Sequence, residues 1–393
     1  MPDYDVAEPL DTDYYAVFAN IPDPERAAWS RARAFIGEAL PQMNDFWERA
    51  EFPAHLAKRM GELNLLADGI EVPGLEPMSP LAAGLINMEV SRGDGSLGTV
   101  IAVQGGLALR SIALFGSEAQ RAAWLGPLAR GEKLGAFALT EPEHGSDSVA
   151  LETTATPDGG DYVLNGEKKW IGNGAGGDIT VVWARDDAGN VRGFLVEQDR
   201  EGYEAETITG KASLRAIHQA KIRLNNVRIP RTNLLPGTRT FKDASEVLVA
   251  TRLGVAWSAL GHATAVYEAA LSYATQRTQF GKPLAKFQLV QDRLAYMLSE
   301  LTSMQLHCVH LAGLDAAGQM RPTQASMAKY HNTRKARELA SLARDMLGGN
   351  GILLENHVIR HLLDIESIHT YEGTQSIQTL LIGRDVTGHS AFA

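Results

Sequence analysis

The hydrophobic period changes twice along this chain, and that double change constrains the fold more than any other feature. From about residue 20 to 135, apolar residues recur at the spacing of amphipathic helices, as in PDPERAAWSRARAFIGEALPQM. From about 136 to 235, short segments rich in Val, Ile, Thr and Trp are separated by turn pairs such as Asp158-Gly159 and Asn165-Gly166. From about 240 onward, helical spacing returns in long runs without internal proline.

These three blocks predict an α+β fold. We expect an N-terminal α-helical domain over residues 1–135, a middle antiparallel β-barrel or sheet domain over 136–237, and a C-terminal four-helix bundle over 238–393. With 45% hydrophobic and 21% charged residues, the chain has an ordinary globular composition, which excludes a disordered chain, a collagen-like chain and a coiled-coil rod. Ser117 is a predicted N-cap, with Glu118 in the first turn of its helix.

The charge and the cysteine content narrow the class of partner and compartment. Lys and Arg total 37 and Asp and Glu total 47, so the formal net charge is −10, and we expect no binding to nucleic acid or to anionic membranes. The single cysteine, Cys308, excludes an intramolecular disulfide and favours a reducing compartment. We find no run of 18 uncharged apolar residues and no basic leader, and therefore expect no membrane span, no secretory signal and a cytoplasmic location.

Two short patterns resemble known motifs but lack their context. The sequence G-x-G-x-x-G at 172–177 precedes the strand-like DITVVWAR instead of a helix, so we interpret it as a turn and not as a dinucleotide fingerprint. His357 and His361 would share a face of a helix, with Asp364 as a third metal ligand. Since no H-E-x-x-H arrangement surrounds them, we predict no metal site.

Three polar, glycine-containing segments could carry chemistry, at 135–148, 276–291 and 346–384. The first can expose backbone N–H groups to a phosphate or a flat heterocycle, and the second places Arg277 beside Phe280 at a break between long helices. In the third, Glu372 precedes a glycine and a helix that Thr374 can cap. A carboxylate displayed on such a turn could act as a base, although a glutamate there could also simply complement the helix dipole.

Five motifs in these segments, LTEPEHGSD, KKWIGNG, RTQFGKPL, LGGNGI and TYEGT, resemble those of the acyl-CoA dehydrogenase flavoproteins. Each motif is weak alone, but all five occur in the order of the family, and the resemblance covers roughly residues 20 to 390. Within the family, VVWAR, RGFLVE and GKASLR are most similar to the glutaryl-CoA dehydrogenases and the short-chain acyl-CoA oxidases. The resemblance implies an FAD-dependent α,β-dehydrogenation of an acyl-CoA thioester, with Glu372 as the catalytic base.

The resemblance also implies which residues contact the cofactor and the substrate. The expected FAD contacts within the subunit are Phe137, Leu139, Thr140, Gly145, Ser146, Trp170, Ile171, Gly172, Thr374 and Ser376. The expected contacts to the FAD of a neighbouring subunit are Arg277, Phe280, Gln288, Asp345, Gly348 and Gly349. The expected substrate contacts are Gly98, Thr99, Ser146, Arg252, Tyr371 and Gly373.

Two positions depart from the family pattern. Gly172 stands where the family has a threonine, which removes one hydroxyl contact to the flavin. Gly98 stands where the glutaryl-type enzymes hold the far carboxylate of the substrate with an arginine, although Arg92 lies nearby in the sequence. Because a buried carboxylate without a partner costs several kcal/mol, we predict a short, uncharged acyl chain and no decarboxylation.

The resemblance leaves the electron acceptor and the close alternatives open. We expect an electron-transferring flavoprotein as acceptor and, since FAD contacts come from two subunits, a homotetramer. A short-chain acyl-CoA oxidase that uses O₂, a glutaryl-CoA dehydrogenase and a non-catalytic flavoprotein of the same fold are the alternatives. Chain length, branching and pathway are not determined by the sequence.

Overall fold

The fold is described here by a computed structural model for residues 12–392. Most of the acidic N-terminal stretch, on which the expected lack of a secretory signal rests, lies outside the described residues. The first block is helical, as predicted. Its elements are α1 (Asp23–Arg49), α2 (Ala54–Glu62), α3 (Pro80–Gly93), α4 (Gly95–Ile101), a π-helical segment (Ala102–Leu109), α5 (Arg110–Phe115) and α6 (Glu118–Ala129). Ser117 caps α6 in a reciprocal arrangement with Gln120, which confirms the predicted N-cap.

The second block forms a seven-stranded sheet with the order β1-β4-β2-β3-β7-β6, and β5 pairs with β4. The strands are β1 (Gly135–Ala138), β2 (Thr154–Asp158), β3 (Asp161–Gly172), β4 (Ile179–Arg185), β5 (Val191–Glu197), β6 (Tyr203–Thr207) and β7 (Gln219–Pro230). The pairing is mainly antiparallel, but β4 is parallel to β1, and it also pairs in parallel with β2 at a single residue pair. Local turn patterns predict hairpins and not such non-local pairs, so the sequence did not indicate them.

The third block is the helical bundle. It contains α7 (Phe241–Gln276), a short hairpin of β8 (Thr278–Gln279) and β9 (Lys282–Pro283), α8 (Gln288–Ala316), α9 (Pro322–Met346), α10 (Val358–Thr370) and α11 (Gln375–Thr387). Helix α7 lies between α9 and the N-terminal α3. Gly84 of α3 faces the indole of Trp257, where a Cβ would come within 2.3 Å of the ring. This close approach seats the first block on the third and creates the region in which Glu372 lies.

One helical stretch is long and apolar enough to cross a membrane, which corrects the expectation that the chain has no such candidate. It runs from Gly95 to Phe115 with a mean hydropathy of 1.5, and 72% of its most apolar window is buried inside the protein. Arg110 interrupts the apolar run, so a search for uncharged stretches misses it. Burial of this kind is what the core helix of a domain shows.

Candidate active site

Glu372 lies on a tight turn between α10 and α11. Its φ of 57° and the φ of 86° at Gly373 both fall in the left-handed region, which costs a non-glycine residue about 1–2 kcal/mol. The hydroxyl of Thr374 accepts a hydrogen bond from the N–H of Ile377 at 3.4 Å and caps α11. The predicted constrained turn and its cap are therefore confirmed.

Two buried side chains hold this turn through its carbonyl groups. The Nζ of Lys329, on α9, donates short hydrogen bonds to the carbonyl oxygens of Tyr371 and Gly373. The Nε2 of Gln378 donates to the carbonyls of Glu372, at 3.0 Å, and of Gly373, at 2.9 Å. The backbone on both sides of the carboxylate is thus fixed, which limits the directions in which the Glu372 side chain can extend.

The carboxylate of Glu372 has an unusual electrostatic environment. Burial raises its pKa, and three neighbours act in the opposite direction: the charges of Lys329 and Arg252, and the hydroxyl of Thr251, which donates to Oε2 at 3.0 Å. Burial in turn lowers the pKa of Lys329 to about 7 and lowers that of Arg252, whose Nη1 donates to Ser326 at 3.0 Å. A carboxylate with a raised pKa is a stronger base than one in water.

Glu372 borders a small cavity between the first and third blocks. Its walls come from the loop before α3, from α3, from α4 and the π-helical segment, from α7 and from the turn itself. The lining residues are Asp68, Asn87, Gly98, Ala102, Gly106, Thr251, Gly254, Val255, Ser258, Tyr371 and Glu372.

Two of the six predicted substrate contacts line this cavity, and three others are close to its lining residues. Gly98 and Tyr371 line it, Gly373 adjoins the carboxylate in sequence, and Arg252 is close enough to act on its pKa. The hydroxyl of Thr99, which donates to the carbonyl of Gly95 at 2.8 Å, lies near that of Tyr371. The structure does not bring Ser146 to the cavity wall, since this residue lies on an exposed loop of the β domain.

The predicted flavin-side residues cluster at the ends of β1 and β3. Phe137 and Leu139 are buried on and after β1, and the carbonyl of Thr140 accepts from the N–H of Lys169 at 2.9 Å. The ring of Trp170 is 51% exposed at a φ of 65°, beside the buried Ile171. A half-exposed indole next to the glycine-rich turn at 172–177 and the open loop with Gly145 suits a flat ring system, so these residues fit FAD.

Gly172 connects this cluster to the cavity and explains the missing threonine. A Cβ at Gly172 would lie 2.7 Å from the side chain of Val103 in the π-helical segment. Its neighbours in that segment, Ala102 and Gly106, line the cavity beside Glu372. The space that a threonine side chain would need is thus filled from the N-terminal domain, which leaves only backbone contacts at this position.

Of the remaining predicted cofactor residues, Thr374 and Ser376 adjoin Glu372 in sequence, whereas Arg277 lies far from it within one chain. Arg277 ends α7 about 39 Å along the helix axis from Thr251, at about 1.5 Å per residue. Phe280 follows it with 93% of its side chain exposed, and the Gly348-Gly349 pair is open to solvent. Gln288 begins α8, Asp345 pairs with Arg293 at 2.6 Å, and Thr374 and Ser376 follow the carboxylate at the start of α11.

The structure shows what the two short patterns that resemble known motifs form instead. The G-x-G-x-x-G run forms the turn between β3 and β4, with no helix after it. His357 precedes α10 at a φ of 60°, His361 bonds to His262 at 2.8 Å, and Asp364 accepts from the backbone of Leu214 at 2.6 Å. Within residues 12–392, no group of three or more His, Cys, Asp or Glu side chains is arranged to hold a metal ion.

Three residues that act on Glu372 or its turn were not predicted from the sequence, namely Thr251, Lys329 and Gln378. For Lys329 a signal existed: it lies on the buried face of α9, between Ala325 and Ala336, where an unpaired lysine would be costly. Thr251 and Gln378 gave no comparable signal, because their role depends on how α7 and α11 pack and not on local sequence.

Comparison with known proteins agrees with this geometry. Sequence models of the N-terminal, middle and C-terminal domains of acyl-CoA dehydrogenases match residues 22–132, 136–227 and 240–387. The short-chain specific acyl-CoA dehydrogenase of Rattus norvegicus mitochondria is 37% identical over 382 residues, covering 95% of this chain and 92% of that protein.

Solved structures give the same result. The crystal structure of a glutaryl-CoA dehydrogenase from Mycobacterium smegmatis has a TM-score of 0.95 and 40% identity, covering 97% of this chain and 99% of the other. A structure of a glutaryl-CoA dehydrogenase from the same organism in complex with FADH2 has a TM-score of 0.94 and 37% identity, with 97% and 98% covered. This chain belongs to the acyl-CoA dehydrogenase family of FAD-dependent oxidoreductases.

Proposed function

We propose that this protein dehydrogenates a short-chain, uncharged acyl-CoA to the 2-enoyl-CoA, with Glu372 as the base. The observation that carries the proposal is the carboxylate of Glu372, held on a fixed turn and facing a cavity, with a pKa that burial raises. FAD, when bound, supplies the acceptor for the hydride that leaves the β-carbon, so the acyl group loses two hydrogens and two electrons in all.

The chain's own residues handle the proton and the charge. The α-proton of the thioester moves to a carboxylate oxygen of Glu372, and Thr251 steadies that group through its hydrogen bond to Oε2. The family resemblance implies that the backbone N–H of Glu372 polarises the thioester carbonyl, and the hydrogen bonds from Lys329 and Gln378 keep that N–H in place.

The walls of the cavity support an uncharged substrate. A Cβ at Gly98 would lie 2.3 Å from the hydroxyl of Ser91, so no side chain fits there without a shift. Arg92, the other candidate partner for a carboxylate, is buried and pairs with Glu89 at 2.7 Å and Glu268 at 2.9 Å. Among the described residues, none of those that line the cavity is a lysine or an arginine.

The test is a direct comparison of butyryl-CoA with glutaryl-CoA, using the FAD-loaded protein and an artificial electron acceptor. We expect faster turnover of butyryl-CoA and no release of CO₂ from glutaryl-CoA. Faster oxidation and decarboxylation of glutaryl-CoA would favour the second candidate, a glutaryl-CoA dehydrogenase, which the M. smegmatis structures bring into consideration.

For the electron acceptor we propose an electron-transferring flavoprotein. Measurement of hydrogen peroxide during turnover in air distinguishes this from an oxidase. We expect little peroxide and efficient turnover with an electron-transferring flavoprotein, whereas one peroxide per acyl-CoA oxidised would contradict the proposal.

We also propose that the FAD site is completed by a second copy of the chain in a homotetramer. The distance of about 39 Å along α7 between Thr251, which bonds to Glu372, and Arg277 supports this, because it places Arg277 far from the base of its own chain. The exposed Phe280, Leu289 and Val386 support it as well, since large apolar side chains on a surface mark interaction sites. Sedimentation of the flavin-loaded protein should show a tetramer, and a monomer that retains FAD would contradict the proposal.

A further inference from the structure

The cavity beside Glu372 contains a second carboxylate that the dehydrogenation does not require. Asp68 lines the cavity together with Asn87, whose Nδ2 donates to Oδ1 of Asp68 at 3.2 Å. Nη2 of Arg110 donates to Oδ2 at 3.0 Å and to the backbone carbonyl of Asp68 at 2.7 Å. The side chain of Asp68 is only 13% exposed, so this is a partly enclosed acidic group on the wall of the small cavity beside Glu372.

The N-terminal domain is shaped to hold Asp68 there. A Cβ at Gly105 would lie 2.1 Å from the carbonyl of Leu66, so only glycine lets the loop at 66–68 pack onto the π-helical segment. At the next position, a Cβ on Gly106 would lie 3.2 Å from Oδ2 of Asp68 and 3.0 Å from the side chain of Thr251. Asp68 and Thr251, which bonds to Glu372, therefore both lie beside Gly106.

The backbone at Asp68 is also in an uncommon conformation, although Asp and Asn adopt it more readily than most residues. Its φ is 48°, in the left-handed region that most side chains avoid. Residues in sparsely populated backbone conformations cluster at functional sites, and here such a residue also carries a mostly buried carboxylate. Asn87 and Arg110 stabilise the group without closing it off, since Asp68 still belongs to the cavity wall.

The chemistry of Asp68 indicates what could bind beside it. An ionised carboxylate offers about four acceptor positions, and Asn87 and Arg110 occupy two of them. A plain alkyl tail would leave the remaining positions facing apolar surface, which is unfavourable. Asp68 would repel a carboxylate tail and Arg110 would repel an ammonium tail, and because these two groups form an ion pair, neither tail would gain a net opposite charge. A neutral hydrogen-bond donor satisfies the site without either cost.

We propose that Asp68 and Asn87 form a subsite that binds a hydroxyl group at the far end of a short acyl chain. The substrate class is then an ω-hydroxyacyl-CoA, recognised when its hydroxyl donates to the Asp68 carboxylate. This inference rests on the proposed acyl-CoA dehydrogenation and names the substrate class for it. The hydroxyl is not consumed, because only the α and β carbons lose hydrogen.

The first test uses the wild-type holoenzyme with 4-hydroxybutyryl-CoA and pentanoyl-CoA, which differ only by a hydroxyl in place of a methyl group. We expect kcat/KM to favour the hydroxyl compound by about tenfold or more, since a site built around a polar partner rejects the analogue that lacks it. Equal rates, or a preference for pentanoyl-CoA, would overturn the proposal. If neither compound nor butyryl-CoA is oxidised, the proposed dehydrogenation itself fails, so the two failures are distinguishable.

The second test uses variants of Asp68 and reads the ratio of the two kcat/KM values. Asp68→Ala should lower that ratio by about 10- to 100-fold, as expected for loss of a hydrogen bond to a charged group. Asp68→Asn keeps an acceptor and tolerates the left-handed backbone, so it should lower the ratio less. An unchanged ratio in a folded, flavin-loaded Asp68→Ala protein would contradict the subsite.

A matched control comes from Asp315, whose carboxylate also interacts with Arg110 but does not line the cavity. Asp315→Asn should leave the ratio at its wild-type value. If this variant changes the ratio as much as Asp68→Ala does, the effect comes from Arg110 and the inferred contact with substrate is wrong. The comparison of wild-type ratios decides the question even if the Asp68 variants fail to fold.

Discussion

Two buried carboxylates lie close together in sequence, one on α10 and one on the turn after it, and they differ in what surrounds them. Asp364 is 1% exposed, and its Oδ1 accepts hydrogen bonds from the N–H of Leu214 at 2.6 Å and the indole of Trp47 at 3.2 Å. Burial first, and then the charge of Asp94, raise its pKa to about 7. Burial likewise raises the pKa of Glu372, but Glu372 faces a cavity.

The difference teaches that a raised pKa does not by itself identify a catalytic base. Asp364 joins three parts of the molecule, since Trp47 belongs to α1, Leu214 to the segment between β6 and β7, and Asp364 itself to α10. Asp364 does not line the cavity that Glu372 borders. Glu372 combines the same electrostatic perturbation with a fixed backbone and a position on the wall of the cavity, and these additional features support its role as a base.

The largest expected effect is a difference in activity between a Glu372 variant and an Asp364 variant. Glu372→Gln should lower kcat for butyryl-CoA by about 10²- to 10⁴-fold, because it removes the general base and keeps the shape of the side chain. Asp364→Asn should retain activity per folded, flavin-loaded molecule. The rates with an artificial acceptor, normalised to bound FAD, check both. Comparable losses of activity in the two variants would contradict the assignment of Glu372 as the base and of Asp364 as a structural group.

The next largest effect concerns the contribution of Asp364 to the stability of the fold. Asp364→Leu leaves the N–H groups of Leu214 and Trp47 without an acceptor and should destabilise the protein by about 3 kcal/mol. Asp364→Asn still offers an acceptor oxygen and should cost much less. Urea midpoints at one fixed protein concentration measure the difference. A Leu variant as stable as the wild type would show that the junction at Asp364 contributes little.

The smallest expected effect is a shift in pH dependence. Glu372 must be ionised to accept the proton, so kcat/KM should rise as the pH increases through its raised pKa. Lys329→Met removes the charge that lowers this pKa most, so the acidic limb should move to higher pH, by about one unit. Lys329→Arg keeps the charge and should leave the limb close to its wild-type position. A limb that stays fixed in the Met variant would contradict this electrostatic coupling.

The sequence predicted the parts of the site that are encoded locally. The succession of Glu372, Gly373 and Thr374 specifies a turn and a helix cap within a few residues, and the structure confirms both. The helical–β–helical order follows in the same way from hydrophobic period. The assignment of individual FAD contacts still rests on the resemblance and stays a prediction.

The parts that the sequence could not predict depend on contacts between distant segments. Thr251 reaches Glu372 only because α7 passes beside the turn, and Lys329 reaches it from α9. Asp68 enters the cavity wall because the π-helical segment admits its loop at Gly105. Patterns of a few residues carry no information on which helices meet or in which register, so these residues became visible only in the folded chain.

The most direct test of the account is the exchange of the α-hydrogens of butyryl-CoA with water. Holoenzyme would be incubated anaerobically with α-deuterated butyryl-CoA, without an electron acceptor, and loss of deuterium followed by mass spectrometry. We predict exchange in the wild type and in Asp364→Asn, and loss of exchange in a flavin-loaded Glu372→Gln variant. Exchange at the wild-type rate in Glu372→Gln would contradict the assignment of Glu372 as the base.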